Sequence, residues 1–219
     1  MQNNQYYKNA ALARLRGNWS PVVVATIVFV LLSLACSSGN LVGSSEGGMA
    51  LPVGNVLAMS GVSFILGVFV LAPASIGYAN ATLLMYQTGN TGVTRNLWHY
   101  ATDNYIHKLL GYLFMSVKIL LWYLLLFIPG IIMSFAYAMT PYILEEHPEL
   151  SAWDASTRSR DMMKGHKFDL FYLYLSFIGW GILSVLTCGI GFIWLIPYMQ
   201  MSVAAFYEDL KAETTIVLG

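Results

Sequence analysis

Residues 109–144 read LLGYLFMSVKILLWYLLLFIPGIIMSFAYAMTPYIL, and the way this apolar run divides decides the fold. A transmembrane helix needs about 20 apolar residues, so the run could form one kinked crossing or two shorter ones. Pro129 and Gly130 interrupt it, and Pro-Gly is a strong turn signal. We therefore predict two helices, over about 109–127 and about 131–144, that form a hairpin.

Four other apolar runs predict helices over about 19–36, 56–86, 168–186 and 190–207. The chain is 57% hydrophobic and only 10% charged, whereas soluble domains carry about 25% charged residues, so we expect the lipid bilayer to surround it. The predicted fold is all-α, a polytopic transmembrane bundle of six helices in three hairpins. Residues 1–219 then form a single integral membrane domain with both termini in the cytoplasm.

The distribution of positive charge supports this threading, because Lys and Arg collect on the cytoplasmic side of membrane proteins. In the six-helix arrangement the three outer loops contain no Lys or Arg. The cations that face the cytoplasm are Lys8, Arg14, Arg16, Arg95, Lys108, Arg158, Arg160, Lys164, Lys167 and Lys211. The alternative makes residues 119–140 one kinked crossing and gives five helices. It puts the basic cluster at 158–167 outside, so we reject it.

The sequence lacks the patterns of common enzyme classes. HExxH, GxSxG, P-loop and GxGxxG motifs are absent, so we expect no catalytic residues, no cofactor and no metal. EEHPE at 145–149 offers carboxylates and a histidine, but Pro148 interrupts the helix, which favours a solvated cytoplasmic helix end over a metal site. A formal net charge of zero gives no electrostatic case for nucleic acid.

SAWDASTRSRDMMKGHK at 151–167 predicts a cytoplasmic amphipathic helix over about 151–165, near the membrane surface. Ser151 and Asp154 form a capping box, and Gly165 is a suitable terminator. The small and apolar side chains that share one face are Ala152, Ala155, Ser156, Ser159 and Met162. The basic side chains form a candidate site for anionic phospholipid head groups or another anion; they are Arg158, Arg160, Lys164, His166 and Lys167. Alternatively, these residues only fix the topology and seat an interfacial helix.

Lys118 is the one cation that falls within a predicted membrane-spanning helix. A lysine at the bilayer centre costs roughly 2.5 to 3.5 kcal/mol on insertion scales, so it should line an interior or a cavity. No Asp or Glu lies at the same predicted depth, which makes an anionic ligand the natural partner. The alternative is a helix that enters the bilayer late, with Lys118 extending toward the cytoplasm.

A proline recurs in the second helix of each predicted hairpin, at Pro73, Pro141 and Pro197, and a basic, partly amphipathic segment precedes each hairpin. Internal repeats with interrupted helices are common in transporters, where they build the binding site. The alternative is that the prolines are ordinary helix kinks, whose freed carbonyls are satisfied by neighbouring helices.

Five segments together resemble the bacterial membrane protein family called domain of unknown function 975. They are LRGNW at 15–19, FIPGIIMSFAYAMTPYIL at 127–144, SRDMMKGHK at 159–167, LSFIGWGILSVLTCGIGFIWLIPY at 175–198 and AAFYEDL at 204–210. The resemblance implies a polytopic bacterial membrane protein without an assigned activity, and it transfers no site residues; we expect it in the inner membrane. We expect a non-enzymatic role in membrane or envelope organisation or assembly; the alternative is a small transporter or export component with an anionic ligand site near Lys118. Neither oligomeric state nor a protein partner follows from the sequence.

LLSLACSSGN at 31–40 also resembles the end of a lipoprotein signal peptide, with Cys36 as the lipidated residue. Ser33 stands where such a signal needs Leu or a similar residue, and the polar start is long for a signal peptide. Because LRGNW and the first helix fit the family, we interpret Cys36 as the outer end of that helix. Cys188 falls in the outer turn of the last hairpin, so a Cys36–Cys188 bridge is predicted on the oxidising side.

Overall fold

The computed structural model describes residues 2–37, 67–89, 92–125 and 127–218. The described helices are α1 (Asn4–Leu15), α2 (Trp19–Ser37), a π-helical turn (Gly67–Leu71), α3 (Ala72–Thr88), α4 (Val93–Thr102), α5 (Tyr105–Leu125), α6 (Phe127–Ala136), α7 (Thr140–Glu146), α8 (Ala152–Met162), α9 (Lys167–Leu175), α10 (Ile178–Leu186) and α11 (Phe192–Leu218). No strand occurs in these ranges, which confirms the all-α prediction.

The described helices follow one another as three similar units. Each unit begins with a short helix, α1, α4 or α8, and continues with two packed helical arms. The arms are α2 with α3, α5 with α6–α7, and α9–α10 with α11. This order matches the rhythm in the sequence, where a basic segment precedes each predicted hairpin.

The short helices pack into the buried interior between the arms. One buried cluster joins α1, α7, α8 and α11 through side chains that include Tyr7, Tyr142, Met162 and Phe206. A second cluster joins α1 to α4 and includes Tyr78 and Leu97. Tertiary packing therefore holds short helices that would be marginal in isolation.

Two helical stretches, Phe69–Thr88 and Lys167–Leu186, are long and apolar enough to cross a membrane. A third candidate is the pair Asn4–Leu15 and Trp19–Leu34, which is bent by 102°. Large apolar side chains also face outward along the arms, for example Leu124 at 82% exposure and Leu186 at 75%. Soluble monomeric proteins rarely expose so large an apolar surface to water. Together with the apolar helices, this surface indicates that the chain associates with a membrane.

Turns interrupt two predicted helices: the helix predicted over 131–144 is divided into α6 and α7, whereas the helix predicted over 168–186 coincides with the candidate span Lys167–Leu186 but contains a turn. A turn at 137–139 separates α6 from α7, and a turn at 176–177 separates α9 from α10. The division between α5 and α6 falls before IPGI rather than on it, because Pro129 occupies the first turn of α6, where proline is tolerated. A Cβ on Gly130 would lie 2.5 Å from a ring carbon of Tyr123, so this glycine lets α5 and α6 approach closely.

The three prolines have different surroundings. Pro73 and Pro141 lie in the first turns of α3 and α7, directly after the π-helical turn and the 137–139 break, whereas Pro197 lies inside α11. Cys188 is exposed in the turn before α11. The side chain of Cys36, the outer loop and the start of the predicted helix at 56 lie outside the described residues, so the Cys36–Cys188 bridge stays a prediction.

Candidate functional site

The amphipathic helix α8 is capped as the sequence predicts. The Ser151 hydroxyl accepts a 3.1 Å hydrogen bond from the Asp154 backbone N–H and donates to the Asp154 carboxylate at 2.6 Å. The helix ends at Met162, three residues before Gly165, whose φ of +86° is the left-handed conformation that glycine favours.

One face of α8 packs into the bundle. Ala155, Ser156, Ser159 and Met162 of the predicted small-residue face are buried. Ser159 has a specific role there: its hydroxyl donates to the Ala136 carbonyl at 2.9 Å and accepts from the Met139 backbone N–H at 3.2 Å. It therefore satisfies two backbone groups that the break between α6 and α7 would leave without partners.

Lys118 on α5 extends onto this face of α8. Its ammonium group donates a 2.8 Å hydrogen bond to the Ser156 hydroxyl and lies 3.9 Å from the centre of the Trp153 ring. The rings of Phe114 and Tyr137 lie at 4.5 Å and 5.4 Å. Three aromatic rings around one ammonium group stabilise it through cation–π attraction, most strongly through tryptophan.

A cavity of about 380 Å³ opens beside Lys118, and we call it the Lys118 pocket. Its lining residues are Lys118, Trp122, Tyr137, Trp153, Thr157 and Arg160. Two of them are cations and none is a carboxylate. The carboxylate closest to the Arg160 guanidinium is that of Asp161, at 3.9 Å, and both side chains are 48% exposed. Exposed pairs of this kind contribute little, so the pocket keeps a net positive charge.

The other predicted basic residues do not join this pocket. Arg158, Lys164 and His166 line a second cavity of about 630 Å³ between α8 and α11, together with the carboxylates of Asp154, Asp161 and Glu213. Lys167 begins α9 and lines neither cavity. The single predicted basic patch is therefore divided in two, because residues two apart on a helix, such as Arg158 and Arg160, face different directions.

The second cavity is electrically balanced. Lys164 binds Asp161 at 2.8 Å, and this hydrogen bond holds the pKa of Asp161 below its usual range. The His166 ring lies between two carboxylates, 3.1 Å from Asp169 and 3.7 Å from Glu213. Cations that already have carboxylate neighbours attract a further anion less than those of the Lys118 pocket.

The EEHPE segment is less solvated than the sequence interpretation expects. Glu145 forms a 2.5 Å salt bridge with Lys108, and the two side chains are 18% and 2% exposed. Glu146 accepts hydrogen bonds from Tyr207 at 2.6 Å and from Lys211 at 2.7 Å. Within the described ranges, no three His, Cys, Asp or Glu side chains are grouped so that they could hold a metal ion.

Sequence reasoning selected Lys118 and Arg160 but missed the aromatic walls of their pocket. A signal was present, since Phe114 and Trp122 stand four residues before and after Lys118 and so share its helical face. Trp153 and Arg160 similarly flank Thr157 on α8. The meeting of these two faces is a tertiary contact that no local pattern contains.

The family resemblance is confirmed over residues 123–214, which match the family model described as "Protein of unknown function (DUF975)". This range contains four of the five segments that resemble the family, and LRGNW at 15–19 lies outside it. The matched range also contains the residues of α8 that line the two cavities. No curated protein and no solved structure matches the chain.

Proposed function

We propose that this chain is a multi-pass protein of the bacterial inner membrane that binds an anionic phospholipid head group in the Lys118 pocket. Its role is then membrane or envelope organisation or assembly, without catalysis. The observation that carries this proposal is the lining of the pocket, which contains two cations and three aromatic rings and no carboxylate. In this proposal six helical arms cross the bilayer, α4 and α8 lie at its cytoplasmic surface, and α1 packs along α11 as far as the break between α9 and α10.

The charge of the pocket calls for an anion. One N–H of the Lys118 ammonium group donates to Ser156. Because an ammonium group carries three N–H donors, the other two are available for a phosphate oxygen. Each cation near an anionic lipid surface contributes about 1 kcal/mol, which corresponds to about fivefold in affinity per side chain.

The aromatic lining fits a head group at the boundary of the bilayer. Trp122 and Trp153 line the pocket, and tryptophan is enriched where hydrocarbon meets water. Lys118 contacts α8, whose outer face is polar, and in the proposed threading this places the ammonium group at the head-group level of the inner leaflet. At that level a lysine costs far less free energy than at the bilayer centre.

Lipid retention by the purified full-length chain tests this function. Native mass spectrometry after exchange into phosphatidylcholine with added phosphatidylglycerol counts the anionic lipids that remain bound. Lys118→Gln and Arg160→Gln should each weaken retention about fivefold, whereas Arg158→Gln, whose side chain lines the balanced cavity, should not. Equal retention by all four proteins would contradict the proposal.

A second candidate function is transport or export of an anion, which the cavity beside Lys118 favours. Liposomes that contain the protein distinguish the two, with fluorescent phosphatidylglycerol placed in one leaflet or a small organic anion trapped inside. Movement that depends on Lys118 would support transport; binding without movement would support a lipid-organising role.

A further inference from the structure

The two cations of the Lys118 pocket come from different helices and share one cavity. Lys118 belongs to α5 and Arg160 to α8, and both line the same space of about 380 Å³, whose described lining contains no carboxylate. The carboxylate of Asp161 is held elsewhere, because it binds Lys164 at 2.8 Å and lies 3.9 Å from the Arg160 guanidinium. The pocket therefore presents two positive charges to its occupant.

The position of the Lys118 ammonium group is set by contacts with α8. The Ser156 hydroxyl donates its proton to the Trp153 carbonyl at 2.8 Å, and its oxygen accepts the 2.8 Å hydrogen bond from Lys118. The Trp153 ring lies 3.9 Å from the same ammonium group. These contacts order a flexible lysine side chain before a ligand arrives, which lowers the entropy that binding costs.

A third side chain with a hydrogen-bond donor lines the pocket beside the two cations. It is Thr157, which follows Ser156 directly and stands three residues before Arg160, so it shares the face of α8 that carries the guanidinium. A hydroxyl donates one hydrogen bond, an ammonium group three and a guanidinium five. After the contact of Lys118 with Ser156, donors therefore remain on three separate side chains.

This set of donors matches a phosphate monoester better than a phosphate diester. At neutral pH a monoester carries about 1.5 to 2 negative charges and three oxygens that accept hydrogen bonds, whereas a diester has a single charge and one terminal oxygen fewer. Two cations in one cavity repel each other; a dianion neutralises both, and a monoanion leaves one positive charge uncompensated. Because Arg160 is 48% exposed, solvent screens the difference, and we expect a preference of about fivefold.

We infer that the Lys118 pocket selects a phosphate monoester over a phosphate diester, with Lys118, Thr157 and Arg160 as its donors. The inference rests on the proposed function, since it requires that the pocket bind an anion, and it names the chemical class of that anion. Both the head group of a lipid such as phosphatidic acid and a soluble phosphate ester present this chemistry.

Competition between two lipids on the full-length chain tests the selection. Native mass spectrometry of the protein in phosphatidylcholine counts bound phosphatidic acid and bound phosphatidylglycerol, which are offered together with identical acyl chains. The measurements are made at about pH 8 and about pH 5, on either side of the second phosphate pKa of about 6. Phosphatidic acid should be retained about fivefold more at the higher pH. At the lower pH it carries a single charge, so the preference should largely disappear, and phosphatidylglycerol is the internal control for effects of pH on the protein.

Variants assign the selection to the pocket. Arg160→Gln should reduce the preference for phosphatidic acid toward equality, because one cation remains. Thr157→Val keeps the shape of the side chain and removes its hydroxyl, so it should weaken retention of phosphatidic acid more than that of phosphatidylglycerol. Arg158→Gln is the matched control, since it removes an arginine of the same helix that lines the other cavity, and it should keep the preference.

The outcomes separate this inference from the proposed function. Equal retention of the two anionic lipids at both pH values, with the dependence on Lys118 preserved, would overturn the selection and leave the proposed function standing. Retention of neither lipid above phosphatidylcholine would overturn both.

Glycerol 3-phosphate, added as a soluble monoester at a comparable concentration, identifies the source of the ligand. Displacement of phosphatidic acid supports a soluble phosphate ester, whereas persistence of the bound lipid supports a lipid head group. Both of these results support a monoester site, provided that the preference at the higher pH is observed.

Discussion

Ser159 on α8 donates a 2.9 Å hydrogen bond to the carbonyl of Ala136, the last residue of α6. The same hydroxyl accepts from the Met139 N–H, so one side chain bridges both edges of the 137–139 break. Ser159 is fully buried, and water cannot replace it. Two hydrogen bonds of this residue therefore join α8 to both α6 and the turn that follows α6.

Ser159→Ala should lower the free energy of unfolding by about 1–3 kcal/mol, because it leaves two buried backbone groups without partners. Thermal unfolding in detergent measures the change. Ser20→Ala, which removes an exposed hydroxyl in α2, is the control and should have little effect. Equal stability of the two variants would show that Ser159 does not support the break.

Gly77→Ala should destabilise the contact between α3 and α4. A Cβ at this position would lie 2.6 Å from the Leu97 carbonyl oxygen and 3.0 Å from the Ala101 nitrogen, both backbone atoms that cannot rotate away. Overpacking of this kind costs about 1–3 kcal/mol.

Gly179→Ala is the matched control, since a Cβ there meets nothing within 4 Å. Alanine in the middle of a helix is more stable than glycine by about 0.5–1 kcal/mol. The Gly179→Ala variant should therefore unfold at the same or a slightly higher temperature. If both glycine variants shift in the same direction, close packing at Gly77 is not limiting.

The helix breaks show where sequence reasoning reached its limit. The bounds of α8 and its buried face were predictable, because they follow from capping and helical spacing. The breaks at 137–139 and 176–177 were not, because side chains far along the chain contact them. Ser159 supports the first from α8, and Lys8 contacts the carbonyl of Ser176 at the second.

The candidate site was half predictable for a related reason. Lys118 is conspicuous as a lysine in an apolar run, and Arg160 as part of a basic cluster. Their separation from Arg158 and Lys164 depends on how α8 rotates against α5. That rotation is set by the burial of Ser156 and Ser159, which is a property of the folded chain.

Lys108→Met should lower the free energy of unfolding by about 3–5 kcal/mol, because it leaves the partly buried Glu145 carboxylate without its counter-ion. The double variant Lys108→Met with Glu145→Leu should recover much of this loss, since an apolar pair of similar volume needs no desolvation of charge. A double-mutant cycle from thermal unfolding checks this; additive losses would contradict it.

Glu146 should make the stability of the chain depend on pH below about 4.3. Burial acts to raise the pKa of Glu146, but the hydrogen bonds from Lys211 and Tyr207 lower it by more, so the folded-state pKa is below the ordinary value. The resulting stability is complete above the unfolded-state pKa, near 4.3, and is lost as the pH falls through the lower folded-state value. Glu146→Gln should flatten this dependence of melting temperature on pH, and Asp103→Asn, at an exposed helix end, should not.

The proposed six crossings place the turn after α10 and the α8–α9 segment on opposite sides of the membrane. Cys188 is exposed in that turn, and Lys164 is 72% exposed after α8, so both positions are accessible to a thiol reagent. With Cys36→Ala, native Cys188 should react with an impermeant maleimide on intact spheroplasts. Lys164→Cys, in a chain with both native cysteines replaced by alanine, should react only after permeabilisation.

The labelling pattern distinguishes the six-helix arrangement from the five-helix one. If residues 119–140 were one crossing, the segment after α8 would lie outside, and Lys164→Cys would react on intact spheroplasts while Cys188 would not. Arg16→Cys in the cysteine-free chain is the control, because Arg16 is exposed and both arrangements put it inside, so it should react only after permeabilisation. The proposed threading therefore requires Arg16→Cys and Lys164→Cys to be protected together, and reaction of Lys164→Cys from outside would refute it.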